Sequence, residues 1–325
     1  MSGTPCHQRR GQCLGALIMM LAALVALGIA VASCGDAADE STSVHLDVMA
    51  TATFLADIAQ NVAGDRFTVR ALVPRDADLH AYEPTPRDIA RVAKADLFIL
   101  NGGGLEETLE DTLRAAAPGA TFVNASEGLT PREPQPGEPL HGHEHEGEHE
   151  SDPHYWLDPT RVITYVENIR DAFIAADPEG EADYTAHAAA YIDELKALDA
   201  WIEEQVAVLP KDDRLLVMNH VSHGYFADRY GFRIVGAVIP GVTSGESVTA
   251  RQMADLAASI RATGVRAIFV ELGENPDLAD QIAAETGIVV VDDLRDHSLS
   301  EPGGEAPTYI EMMKYDTRRI VEALR

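Results

Sequence analysis

Apolar and polar positions follow two rhythms along this chain. "VHLDVMAT" (44–51) is short and β-branched, which predicts a strand. "FLADIAQNVAG" (54–64) returns its apolar residues every three or four positions, which predicts a helix ending at Gly64. The exchange continues with a strand at 67–73, a helix opening near 85, the buried strand "DLFILN" (96–101), a helix at 105–116 and a strand at 121–126. Thr85 is placed to cap its helix, Pro86 suits the first turn, and Asp88 can reach back to the cap. This β-α-β-α order argues for a parallel sheet with helices on both faces.

The longest helical pattern runs from 181 to 209. Tyr184, Tyr191, Leu195, Leu198, Ile202, Val206 and Leu209 fall on one face. At about 1.5 Å per residue such a helix spans roughly 40 Å, long enough to bridge two domains. A second α/β series follows, with strands at 214–219, 232–239, 265–272 and 288–294 and helices at 225–231, 249–264, 276–287 and 308–324. The expected fold is α/β: a parallel-sheet lobe over 44–180, a linking helix over 181–209 and a second parallel-sheet lobe over 210–325. Ligands of such folds sit at the carboxyl ends of strands, often in the cleft between halves.

Residues 1–43 stand outside this pattern. Arg9 and Arg10 precede an apolar run from Leu14 to Val31 that ends in "VASC". A basic start, an apolar core and small residues before a cut describe a secretory leader. "VASC" resembles a lipobox, which implies cleavage before Cys34 and a diacylglycerol thioether on its sulfur. Residues 1–33 are then the leader and 34–43 a lipidated tether. The alternatives are a single membrane-spanning helix, for which the run is just long enough, and ordinary leader cleavage. Cys6 and Cys13 would leave with the leader, so no disulfide framework is expected.

The balance of 25 basic against 53 acidic residues, net −28, argues against a nucleic-acid partner. Gly102-Gly103-Gly104 follows "DLFILN" without a GxGxxG or GK[ST] pattern, so a tight strand-to-helix turn is expected there rather than a phosphate loop.

Histidine distribution changes the picture most. Residues 131–152 are rich in Pro, Gly, Glu and His and lack an apolar period, which predicts a surface loop carrying His141, His143, His145 and His149. His80, His154, His220, His223 and His297 instead lie near the ends of predicted strands or at loop edges. His80 sits in the proline-stiffened "PRDADLHAYEPTP", and His154 lies between Pro153 and Pro159 beside Tyr155 and Trp156. Neutral imidazole is the usual ligand of a zinc-like cation, so strand-end histidines are candidate ligands if the fold gathers them.

"DLHAYEPTPRDIARVAKADLFILNGGGLE", "DPHYWLDP", "NHVSHGYFADRYGF" and "SLSEPGGEAPTYIEMMKYDTRRI" together resemble the solute-binding lipoproteins of zinc and manganese ABC transporters, in the same order and over nearly all of the chain after the leader. The resemblance implies two α/β lobes joined by a rigid long helix, with one metal held in the interlobe cleft. Carried over residue by residue, it implies His80, His154 and His220 as ligands. The fourth position departs from the family's usual acidic residue: His297 stands there and Asp296 precedes it, with Asp292 and Asp293 nearby. Asp296, His297 or a water remain open as the fourth ligand.

Three or more imidazoles favour Zn2+, with Mn2+ as the alternative. His141 to His149 are expected to collect metal separately from His154. The implied partners are an ABC permease with its cytoplasmic ATPase, the metal ion itself, and the membrane through Cys34. The protein is expected to act as a monomer on the extracytoplasmic face of the membrane. Two other functions compete. An exported zinc hydrolase would share the three-histidine site, but no HExxH is present. An adhesion or scavenging module would bind metal without delivering it.

Overall fold

The computed structural model describes residues 45–135, 138, 152–241 and 247–325. The segment expected to be the leader and tether, with Cys34, and the loop histidines His141, His143, His145 and His149 lie outside the described residues.

The first lobe contains β1 (Val48–Ala50), α1 (Thr53–Ala63), β2 (Val69–Ala71), α2 (Pro86–Val92), β3 (Leu97–Leu100), α3 (Glu107–Ala116) and β4 (Thr121–Asn124). Its sheet is parallel, in the order β2-β1-β3-β4. Next come α4 (Pro159–Ala176) and α5 (Glu181–Val206). The second lobe contains β5 (Leu215–Met218), α6 (Gly224–Tyr230), β6 (Arg233–Ala237), α7 (Ala250–Thr263), β7 (Ala267–Glu271), α8 (Asp277–Thr286), β8 (Val289–Leu294) and α9 (Tyr309–Leu324). Its sheet, also parallel, runs β6-β5-β7-β8 and repeats the first lobe's pattern.

Both faces of each sheet are covered, as the near-continuous apolar strands require. Val48 and Ala50 join a core shared with α5 and the second lobe, while the intervening Met49 points into a separate cluster with Phe98, Leu109 and Leu113. In the second sheet Leu216 and Met218 face the shared core, and Leu215 and Val217 face Leu256 and Ile260 of α7. This two-residue alternation is that of extended backbone.

The linking helix α5 has 26 residues, ending at Val206 rather than 209. Tyr184, Tyr191, Leu195, Leu198, Ile202 and Val206 are all buried along one stripe. Full burial of such side chains stabilises by roughly 1.5–3 kcal/mol each, which holds the helix along both lobes. Helix α4 has no counterpart among the elements predicted from the sequence. Val162, Tyr165, Val166, Ile169 and Phe173 form its buried face, and Asp158 caps it by accepting from Thr160 N.

Candidate metal centre

Four chain segments that leave the carboxyl ends of strands converge. His80 follows β2, His154 follows β4, His220 follows β5 and His297 follows β8. Their Nε2 atoms face one another. The separations are 3.2 Å from His80 to His297, 3.4 Å from His154 to His80, and 3.4 Å from His220 to His154. All four ligand atoms lie within 4.8 Å of each other. His154 and His220 are fully buried and His297 nearly so, while His80 keeps part of its surface exposed.

Local chemistry places each ring. The Asp78 carboxylate accepts from the backbone N–H groups of His80 and Ala81, forming a turn of the kind short acidic side chains favour. The Thr85–Asp88 capping box forms as the sequence predicts, and the Tyr82 hydroxyl donates to Asp88, tying the His80 segment to α2. Asp152 Oδ1 accepts from His154 N at 3.0 Å and lies 2.9 Å from His154 Nδ1. Arg132 Nη1 stands 3.8 Å from the other Asp152 oxygen, and its Nε donates to Asp228 of α6.

The glycine turn supports the same segment. Gly102, Gly103 and Gly104 all adopt positive φ. A Cβ on Gly103 would lie 2.5 Å from the Tyr155 ring. Asn101 Nδ2 donates to the Pro153 carbonyl at 3.0 Å, and buried Glu106 accepts from the N–H groups of Asn101 and Gly102. The turn therefore packs against Pro153 and Tyr155, the two neighbours of His154, in keeping with the strand-to-helix turn expected there.

Carboxylates stand behind the rings of His154, His220 and His297. Asp152 serves His154. Glu274 Oε1 lies 3.1 Å, and Glu271 Oε2 3.6 Å, from His220 Nδ1. Asp296 Oδ1 lies 2.8 Å from His297 Nδ1. At His154 and His297 an Nδ1–H donated to the carboxylate leaves Nε2 as the lone-pair nitrogen, the tautomer a metal requires. Asp296 and His297, alternatives in the sequence, thus take different positions: His297 presents its Nε2 to the cluster, and Asp296 stands behind that ring. Asp292 and Asp293 lie upstream in β8, where Asp293 pairs with Arg319 and Tyr315.

The site's electrostatics divide the rings into two pairs. Burial, with the neighbouring imidazoles adding to it, holds His80 and His154 well below the ordinary histidine range. Burial also opposes charge on His220, but Glu271 and Glu274 carry it well above that range. His297 is likewise raised, Asp296 outweighing burial. Asp296 is held below the usual carboxylate range because His297 outweighs its own burial.

The sequence did not single out Asp152, Glu271, Glu274 or Ser222. Asp152 carried a local signal, since an acid two residues before a histidine can accept from its backbone N–H. Glu271 and Glu274 carried none; they reach His220 because β5 and β7 are neighbours and release their chains side by side.

A family profile described as the zinc-uptake complex component A, periplasmic (ZnuA), matches residues 48–323. The chain belongs to this family of metal ABC transporter solute-binding lipoproteins. The manganese-binding lipoprotein MntA of Halalkalibacterium halodurans is 32% identical over 311 residues, covering 94% of this chain and 97% of the relative. Among solved structures, a Mn-bound periplasmic metal binding protein (S38A mutant) from Candidatus Liberibacter asiaticus superposes with a TM-score of 0.75 at 28% identity, covering 86% of this chain and all of the other. The periplasmic zinc binding protein TroA of Treponema pallidum gives 0.76 at 25% identity, covering 85% and 98%. The protein is therefore a solute-binding component of a metal ABC importer, with two parallel-sheet lobes joined by a long helix.

Proposed function

We infer that the protein captures Zn2+ outside the cytoplasm and delivers it to the permease, with His80, His154, His220 and His297 as its four ligands. The observation that carries this reading is the convergence of four imidazole Nε2 atoms at separations of 3.2–3.4 Å along three edges. Zinc–nitrogen bonds of about 2.0–2.1 Å in a tetrahedron imply nitrogen–nitrogen edges of about 3.3–3.4 Å. An all-imidazole set also suits zinc better than manganese, which prefers oxygen donors. Asp152, Glu271, Glu274 and Asp296 orient the rings and offset the ion's charge. Cys34 serves as the lipid anchor, and His141 to His149 as a separate collector that feeds metal toward the cleft.

Manganese is the second reading, favoured by the manganese-binding relatives. Competitive titration of residues 35–325 with zinc and manganese separates the two. One tight zinc site with much weaker manganese binding is the expected result. Equal or tighter manganese binding would overturn the zinc assignment.

A further inference from the structure

His223 is a fully buried imidazole that does not face the four-histidine cluster. It lies three residues after His220, between the two carboxylates that support His220 and His297. Its Nδ1 is 2.9 Å from Ser222 Oγ, and Ser222 Oγ donates to Glu271 Oε1 at 2.8 Å. The serine has one proton, and the carboxylate takes it. His223 Nδ1 must then carry a proton and donate to the serine oxygen. The same Nδ1 lies 3.6 Å from Asp296 Oδ2.

Each carboxylate thus has one oxygen toward a ligand ring and one toward the His223 unit. Glu271 Oε2 faces His220 Nδ1, while Oε1 accepts from Ser222. Asp296 Oδ1 bonds His297 Nδ1, while Oδ2 faces His223. Glu271, Asp296 and Ser222 are all buried, so no bulk water competes for these positions.

We propose that His223 is a positioning residue that holds the Glu271 carboxylate by hydrogen bonds through Ser222 and packs beside that of Asp296, so that His220 and His297 are held in one geometry and the site discriminates in favour of a small tetrahedral cation. This rests on the reading that the four imidazoles hold the ion. Without this bridge Glu271 loses the Ser222 hydrogen bond and Asp296 loses the imidazole beside Oδ2, so the His220 and His297 rings keep Glu274 and Asp296 Oδ1 but are held less tightly. A looser cage accepts larger ions and higher coordination numbers, so selectivity falls along with affinity.

Three variants test the bridge: His223→Phe, Ser222→Ala, and His223→Asn, which keeps an N–H where Nδ1 stood. For each, zinc and manganese affinities are measured by competition, the visible spectrum of the Co2+-loaded protein is recorded, and the metal-free melting temperature is taken. Outer-sphere partners of metal ligands typically contribute 10–100-fold to affinity. His223→Phe and Ser222→Ala are expected to lose roughly 10–100-fold in zinc affinity, to narrow the zinc-to-manganese ratio, and to weaken the intense Co2+ bands of four-coordination. His223→Asn is expected to recover much of each. A stability role alone would lower the melting temperature and leave the affinity ratio and Co2+ spectrum unchanged. Wild-type affinity ratio and spectrum in Ser222→Ala, the smallest change, would overturn the proposal. His154→Ala distinguishes the two failures: tight zinc binding in that variant would remove the four-histidine reading itself, whereas loss of binding there with no effect at Ser222 or His223 would remove only the bridge.

Discussion

The Trp156 indole N–H donates to the Asp296 carbonyl at 2.6 Å. One hydrogen bond thus joins the segment that carries His154 to the segment that carries His297, across 140 residues of chain. Trp156 is itself fixed on both sides: its ring stacks on Phe54 at 4.4 Å between centroids, and its carbonyl accepts from the Tyr309 hydroxyl at 2.6 Å. Two of the four converging histidines, from different lobes, therefore share one buried anchor.

Trp156→Phe should keep much of the stacking and remove the N–H. The Asp296 carbonyl would then be buried without this partner, a cost of about 1–3 kcal/mol. Thermal melting of the metal-free protein should show that loss, and zinc competition should show weaker binding in the same variant. Unchanged affinity would mean that the anchor serves stability alone.

Asp152→Asn tests the charge behind His154. The amide oxygen can still accept from the ring, but the negative charge that strengthens the imidazole as a donor to the metal is gone. Zinc affinity should fall by roughly 10-fold or more, within the 10–100-fold range of such partners. Isothermal competition with a chelator of known strength measures it.

Gly103→Ala should destabilise the protein by about 2–4 kcal/mol, combining a left-handed backbone unfavourable to a Cβ with overpacking against Tyr155. Denaturant unfolding reads the loss. Because the turn packs under the His154 segment, zinc affinity should fall as well. Gly104→Ala is the control: its φ is also positive, but a Cβ there meets nothing within 4 Å, so its effect on metal affinity should be smaller.

The raised affinity of His220 and His297 for protons fixes the direction of pH dependence. In the metal-free protein these two rings hold protons above the ordinary histidine range, and their contribution to stability is present at low pH and lost as pH rises through their folded values. A metal ion must displace those protons, so zinc affinity should rise with pH across the same interval. His80 and His154 are shifted the other way and are already neutral there. Calorimetry in buffers of different ionisation enthalpy should show net proton release on zinc binding, falling as pH rises. Zero release with pH-independent affinity would contradict this division of the rings.

The parts legible in the sequence are those governed by local chemistry. The Thr85–Asp88 capping box, the buried stripe of the linking helix and the parallel order of strands follow from cap preference, helical period and β-α alternation. Helix α4 shows the limit of reading segments one at a time: Val162, Tyr165, Val166, Ile169 and Phe173 have helical spacing, but they follow a loop and two prolines with no strand pattern to frame them. At the metal centre, strand-end placement marked the histidines, and the family resemblance selected among them. Asp296 and His297 could not be separated by sequence, because adjacent residues on a loop face different ways and only the fold decides which reaches the centre. Glu271 and Glu274 depended wholly on strands pairing side by side.

The most direct test of the central claim is X-ray absorption at the zinc edge on the metal-loaded chain lacking residues 137–150, compared with His297→Ala. Four imidazole nitrogens at about 2.0–2.1 Å in the parent, falling to three plus a water oxygen in the variant, with correspondingly weaker imidazole multiple scattering, is the expected result. A carboxylate oxygen in the parent's first shell, with no change on removing His297, would contradict the four-imidazole site and return the fourth position to Asp296 or water.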